Sequence, residues 1–169
     1  MYDLMIIGSG PAGISAALTA KARNLNFIWF GSRALSTKIE KAEKIMNYPG
    51  LPAVTGSEMQ SVFLKQIDDC GITITESQVN SIYDCGGYFA AGADNEIYEA
   101  KAVIMTVGMT TTREIEGEAR LLGCGVSYCA TCDGALYKNK DIAVICASPK
   151  FEDEVTFLSL IHISEPTRP

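Results

Sequence analysis

At 169 residues the chain is long enough for one complete domain and part of a second, and its 47% apolar content supports a packed globular core. A formal net charge of -6, with no run of Lys and Arg to relieve it, argues against general nucleic-acid binding. No apolar run approaches the roughly 18 residues that span a bilayer and no targeting segment opens the chain, so no membrane association and a cytoplasmic location are expected. In a reducing compartment the six cysteines should be thiols unless one pair is catalytic.

The first element is a short buried strand, Leu4-Met-Ile-Ile7. It runs into Gly8-Ser9-Gly10-Pro11-Ala12-Gly13 and then a helix with Ile14, Ala17, Leu18 and Ala20 on its apolar and small positions. Strand, glycine turn and helix form a dinucleotide-binding pattern. Gly8 makes the tight turn, Gly10 lets backbone N–H groups approach a pyrophosphate, and Gly13 lets the helix sit close on the strand. A second strand, Phe27-Ile-Trp-Phe30, completes the context that gives the motif its weight. The acidic residue expected after it, which would hold a ribose hydroxyl, is missing from Phe30-Gly31-Ser32-Arg33. Arg33 is open to two readings, a partner for an NADP 2'-phosphate or an exposed loop arginine.

Lys38, Lys41 and Lys44 alternate with Glu40 and Glu43, as on a solvated face. Asn47-Tyr-Pro-Gly-Leu-Pro52 reads as a rigid turn, followed by a helix from about Ser57 to Asp69 with Met59, Val62, Phe63 and Ile67 inward and Gly71 as its stop. Four strand candidates follow at Ile72 to Thr75, Val79 to Tyr83, Tyr88 to Ala91 and Glu96 to Tyr98. With Gly86-Gly87 and Asp94-Asn95 between them, they predict a small antiparallel meander. Ala102 to Thr106 suits a strand returning to the centre of a parallel sheet, and Gly117 to Gly125 reads as a linker into a second domain.

Tyr128-Cys129-Ala-Thr-Cys132-Asp133-Gly134 carries the chemistry. Cysteines at i and i+3 can open and close a disulfide with little backbone movement, whereas a structural zinc site needs a second ligand pair and none is visible. Asp133 is placed to shuttle the proton of thiol-disulfide exchange or to cap a helix, and both roles can hold together. A competing pattern is the spacing Cys124-x4-Cys129-x2-Cys132, with Cys146 as a conceivable fourth ligand, which matches plant-type iron-sulfur loops. That motif has no need of the preceding dinucleotide turn.

Gly8 to Gly13, Asn47-Tyr-Pro-Gly50, Thr55-Gly56, Thr106-Val-Gly108 and Gly125-Val-Ser-Tyr-Cys-Ala-Thr-Cys-Asp-Gly134 together resemble the low-molecular-weight, flavin-dependent thioredoxin reductases over Met1 to about Leu158. The resemblance implies an α/β fold. Residues 1–113 would be the N-terminal part of a Rossmann-like FAD domain, three-layered, with a parallel sheet and the small meander. Residues 114–158 would begin an inserted, truncated nucleotide-binding-like domain carrying the Cys129/Cys132 disulfide. It further implies that Gly8, Ser9, Gly10, Pro11, Ala12, Gly13, Phe30, Gly31, Ser32, Asn47, Val79, Thr106 and Gly108 surround FAD, that a thioredoxin-like protein is the partner, and that the full-length protein is a homodimer. Cys132 is taken as the flavin-side thiol and Cys129 as its partner, an order that spacing alone does not assign.

Where the family has a second glycine turn for NADPH, after the strand equivalent to Asp141-Ile-Ala-Val-Ile145, this chain reads Cys146-Ala-Ser-Pro-Lys-Phe151. No glycine permits close approach, Pro149 has no N–H, and Glu152, Asp153 and Glu154 would repel a pyrophosphate. The pattern is similar to the ferredoxin-dependent flavin thioredoxin reductases, so ferredoxin is the expected electron donor, with an NADPH-dependent enzyme or an inactive flavin-fold fragment as alternatives. The loop Ser32 to Ile45 also lacks the family's Gly-Gly-Gln segment, and Val107 stands where a threonine is usual. Residues 159–169 resemble a translated sequencing adapter and are set outside the fold. On that expectation the authentic chain stops near Leu158 within a helix, and a 169-residue chain expressed alone binds FAD weakly or not at all.

Overall fold

A computed structural model of the chain describes residues 1–108, 115–146 and 149–161, together with all their side chains except those of Ala119, Cys132, Asp133, Lys150 and Ile161. His162, residues 147 and 148 of the second-turn segment, and the tail from 162 onward therefore lie outside the described residues. The chain divides into two compact units, residues 1–40 with 57–113, and residues 41–56 with 114–169.

The first unit is built on a five-stranded sheet in the order β2-β1-β5-β4-β3, formed by β1 (Tyr2–Ile7), β2 (Phe27–Phe30), β3 (Val79–Asp84), β4 (Phe89–Ala93) and β5 (Glu96–Met105). The apolar run of β1 is buried from Leu4 to Ile7 because the strand lies between parallel neighbours, Ile7 pairing with Phe30 on one side and Met105 on the other. β4 runs antiparallel to both β5 and β3. The β4–β5 turn has Asp94 and Asn95 at φ 47° and 67°, the double left-handed geometry that a two-residue hairpin requires.

Two sequence expectations change here. The last meander strand and the central parallel strand are one ten-residue strand, β5, whose first half pairs with β4 and whose second half pairs with β1. Ala100 is the crossover, opposite both Tyr2 and Phe89 and fully buried. No turn former stands between Tyr98 and Ala102, so the chain has no local reason to leave the extended state. Ile72 to Thr75 forms no strand. It makes a single parallel bridge, Phe30 with Thr75, because β2 ends at that point and offers no further partner.

Helix α1 (Pro11–Ala22) starts with proline in its first turn and ends on Asn24 at φ 54°. The Asn24 N–H reaches Lys21 O and the Leu25 N–H reaches Ala20 O, a Schellman closure. Gly71 does the same, at φ 60°, after the long helix Gly56–Asp69, with Gly71 N–H on Asp68 O and Ile72 N–H on Ile67 O. With the four-residue turn α2 (Thr37–Glu40) intervening, this long helix is α3. Met59, Phe63 and Ile67 are buried as expected, but Val62 is 44% exposed. Val62 lies about 100° from Phe63 around the helix, outside the stripe that the other three define. Met5, Ile7, Ile28, Phe30, Ala91, Ala93 and Ala100 form a buried apolar cluster on the sheet.

In the second unit, residues 117–125 are no open linker. They hold helix α4 (Glu118–Leu121) and a tight loop closed by the Leu122–Val126 bridge. Helix α5 (Ala130–Asp133) continues into a 3-10 turn, Gly134–Tyr137, and a second 3-10 turn, Pro149–Phe151, leads into α6 (Glu152–Ile161). Asp141 to Ile145, expected as a strand, is not one, and Ile142, Val144 and Ile145 are exposed. A strand needs a neighbour to take its ladder bonds, and none is formed here among the described residues.

Candidate functional site

The turn between β1 and α1 is held by a closed set of hydrogen bonds. Gly8 N–H donates to Phe30 O at 2.8 Å, and Gly8 O accepts from the Trp29 indole at 2.8 Å. The Thr106 hydroxyl lies 2.9 Å from Ile7 O and 3.0 Å from Gly8 O. A Cβ on Gly8 would run into the Thr106 backbone, and one on Gly13 into the Gly8 carbonyl, so both positions exclude any larger residue. Gly10 differs. It caps α1 with extended backbone and no side-chain cap, and a Cβ built on it meets nothing within 4 Å.

Because Pro11 has no N–H and Ala12 and Gly13 lie in the first turn, their two N–H groups have no intrahelical partner, and the space beside Gly10 is open. No acidic residue occupies that turn. The arrangement fits the pyrophosphate of a dinucleotide: free donors, the positive end of a 12-residue helix, and space that a side chain at Gly10 would fill.

The remaining expected contacts divide into backbone supports and exposed positions. Ser9 is buried, its hydroxyl accepting the Ser32 N–H at 2.9 Å and donating to Leu35 O at 3.1 Å, so it joins the glycine turn to the loop after β2. Gly31 has no room for a Cβ because Ser9 lies against it. The Phe30 side chain is in the core, edge-on to Tyr98 with ring centroids 5.0 Å apart. Val79 opens β3 and packs on the same cluster. Gly108, at φ 69°, is exposed with open space around it. Asn47 is exposed and belongs to the second unit.

Three residues that sequence reasoning passed over complete the site. Trp29 entered only as one residue of the second strand, and its indole N–H holds Gly8 O. Gln60 is buried on α3 and its amide donates to Ala34 O at 3.1 Å and Ser36 O at 2.6 Å, fixing the loop from the side opposite Ser9. Glu76 supplies a carboxylate at the end of β2, accepting the Arg33 N–H at 2.8 Å and the Ser32 hydroxyl at 3.4 Å. The acid missing from Phe30 to Arg33 thus arrives from a segment more than 40 positions on, brought in where Thr75 N–H bonds Trp29 O and Gly31 N–H bonds Thr75 O. Arg33 itself forms a two-oxygen contact with Asp68 at 3.0 Å, both side chains about half exposed.

In the second unit Cys129 is half-buried and disulfide-bonded, while Cys70, Cys85, Cys124 and Cys146 are thiols. A sulfur held in a disulfide is no thiolate ligand, which bears on the iron-sulfur spacing. Cys129 N–H donates to the Ser127 hydroxyl at 3.1 Å, and Tyr128 O–H donates to Glu118. Cys132 and Asp133 lie in α5, their side chains outside the described residues.

The family model described as pyridine nucleotide-disulphide oxidoreductase matches residues 2–149. Among solved structures, the chain is similar to a ferredoxin-flavin thioredoxin reductase from Clostridium acetobutylicum, at 44% identity and TM-score 0.65 over 95% of this chain and 56% of that one. It is also similar to the thioredoxin reductase of Streptococcus pyogenes, at 32% identity and TM-score 0.80 over 96% of this chain and 53% of that one. Among curated relatives, Bacillus subtilis thioredoxin reductase is 31% identical over 160 residues, 94% of this chain and 51% of that protein. The chain spans about half the length of the curated relatives it matches. The glycine turn, its mixed sheet and the match over 2–149 together place this chain in the pyridine nucleotide-disulphide oxidoreductase family.

Proposed function

We propose that the full-length protein is an FAD-dependent disulfide oxidoreductase whose Cys129 and Cys132 form the redox disulfide that reduces a thioredoxin-like protein. The observation that carries this reading is the disulfide-bonded state of Cys129 in a chain whose first unit has a cradle fitted to a dinucleotide pyrophosphate. FAD, the cofactor of this family, supplies the two-electron carrier when bound. Gly10, Ala12 and Gly13 hold its pyrophosphate, and Ser9, Gln60 and Thr106 keep the surrounding backbone in place. Residues 1–113 act as the N-terminal part of the FAD domain, and residues 114–158 as the start of the redox-cysteine domain. One thiol of the reduced pair attacks the partner's disulfide, the other resolves the mixed disulfide, and Asp133 carries the proton.

Ferredoxin is the donor in this reading, supported by the 44% identity to a ferredoxin-flavin enzyme and by the acidic first turn of α6, Glu152 to Glu154. The thiols of Cys70, Cys85 and Cys124 fit a reducing, cytoplasmic compartment. The resemblance supports a homodimer, which sedimentation of the full-length protein tests. Cys129→Ser or Cys132→Ser in that protein is expected to abolish reduction of a thioredoxin-like disulfide while bound flavin is retained. Cys70→Ser and Cys85→Ser should leave turnover intact, and substantial turnover in either Cys129 or Cys132 variant would refute the assignment.

A further inference from the structure

The buried polar side chains among the described residues are Ser9, Gln60 and Glu118. The first two hold the dinucleotide turn and its loop. Glu118 has no part in that site, and at 7% exposure a carboxylate needs a reason to be where it is. One of its oxygens accepts the Tyr128 phenol, and the other accepts the Ile115 N–H at 2.6 Å, while Glu118 N–H returns to Ile115 O at 2.9 Å.

Between Glu118 and Tyr128 the chain forms a loop closed on itself. Val126 and Cys124 donate to Leu121 O at 2.9 and 2.8 Å, and Gly123 donates to Val126 O at 3.0 Å. The Glu118–Tyr128 contact therefore ties the two ends of this loop, and the residue after the tie is the disulfide-bonded Cys129. The Ile115 N–H and the Tyr128 phenol hold the Glu118 carboxyl below its ordinary range, as charge-assisted contacts do.

We propose that Glu118 and Tyr128 are positioning residues for the redox disulfide, a side-chain tie that holds the backbone entering Cys129 in the geometry of the closed bond. The inference rests on the redox role given to Cys129 above. Disulfide closure tolerates a narrow range of sulfur placement, so removing freedom from the preceding residue favours the closed form over the open dithiol. The tie is part-buried, its Glu118 end at 7% exposure and its Tyr128 end exposed, and it carries charge on the acceptor side, which strengthens it over a neutral contact.

The test equilibrates the full-length protein in glutathione redox buffers. In each exchange two glutathione thiols give two electrons and two protons to the protein disulfide, yielding two protein thiols and one glutathione disulfide. Alkylation and mass measurement then read the dithiol fraction. Tyr128→Phe is expected to shift the equilibrium toward the dithiol about fivefold, the equivalent of one net hydrogen bond. Glu118→Gln, which can keep both contacts in neutral form, should shift it less, and the double variant should shift it no further than Tyr128→Phe alone. Circular dichroism establishes that each variant is folded before it is scored. A folded Tyr128→Phe protein within about twofold of the wild type, or shifts that add in the double variant, would overturn the proposal. A wild-type disulfide that does not exchange with glutathione at all would instead sink the redox reading, and this inference with it.

Discussion

Gly10 and Gly13 stand in one turn and are glycines for opposite reasons. A Cβ at Gly13 would strike the Gly8 carbonyl, whereas one at Gly10 meets nothing within 4 Å and Gly10 has φ -72°. Gly13→Ala should therefore destabilise the first unit by about 1–3 kcal/mol, the usual range for overpacking, with a lower urea midpoint and lost flavin together. Gly10→Ala should leave the unfolding free energy within about 0.5 kcal/mol of the wild type while flavin affinity drops, because the new methyl meets no protein atom and fills ligand space. Measuring both variants separates fold from binding. Glu118 makes a pH prediction at the same scale. Its carboxyl is held below the ordinary value of 4.5 by the Ile115 N–H and then the Tyr128 phenol. A folded-state value below the unfolded one means the contribution is present above pH 4.5 and is lost as pH falls through the lower folded value. Acid unfolding followed by circular dichroism should show a shallower loss of stability below that point in Glu118→Gln.

The elements show where local signals compete with partners. α3 keeps its Schellman stop because Gly71 reaches φ 60° without strain, so Gly71→Ala should cost about 1 kcal/mol and lower the melting temperature by a few degrees. β5 is long because two different neighbours claim its two halves, and Ala100 serves both. Ala100→Leu, placed at a fully buried position between Tyr2 and Phe89, should cost about 1–3 kcal/mol and broaden the unfolding transition, seen by denaturant titration. The segment Asp141 to Ile145 shows the reverse case, an apolar run without a neighbour and hence without a ladder.

At the level of the molecule the chain has a cradle for one nucleotide and a contested place for a second. Glu152, Asp153 and Glu154 fill the first turn of α6, where they satisfy the helix dipole and repel phosphate. Reduced ferredoxin, or a low-potential dye in its place, should reduce the flavin of the full-length protein far faster than NADPH does. Rapid bleaching by micromolar NADPH would return the donor to the pyridine nucleotide. Ile104, Met105 and Val107 are exposed by 40%, 62% and 58% at the end of the central strand. Titration of the 169-residue chain with a hydrophobic dye should show binding, which Ile104→Ser with Met105→Ser should reduce.

Sequence alone determined the parts in which the cause is local. Gly8 to Gly13 encodes its own turn, Asp94-Asn95 its own hairpin and Gly71 its own helix stop, and the i, i+3 spacing of Cys129 and Cys132 is what the proposed exchange pair starts from. Only the tertiary structure decided the contacts whose two halves are remote. The acid at the end of β2 is Glu76, delivered by the pairing of Thr75 with β2; the apolar run Ile72 to Thr75 signals a strand but not which neighbour it meets. β5 became one strand because β1 and β4 are both there to receive it. Ser9, Thr106 and Gln60 turned their polar groups to backbone carbonyls, which no spacing rule predicts. Glu118 carries no signal of its own in the sequence, and only the closing of the loop from 118 to 128 brings its carboxylate to Tyr128 and buries it. Hydrogen bonds across such distances form when the fold brings remote partners into register and, for Ser9, Gln60 and Glu118, removes water from the side chain, and both are properties of the packed chain rather than of any window of residues.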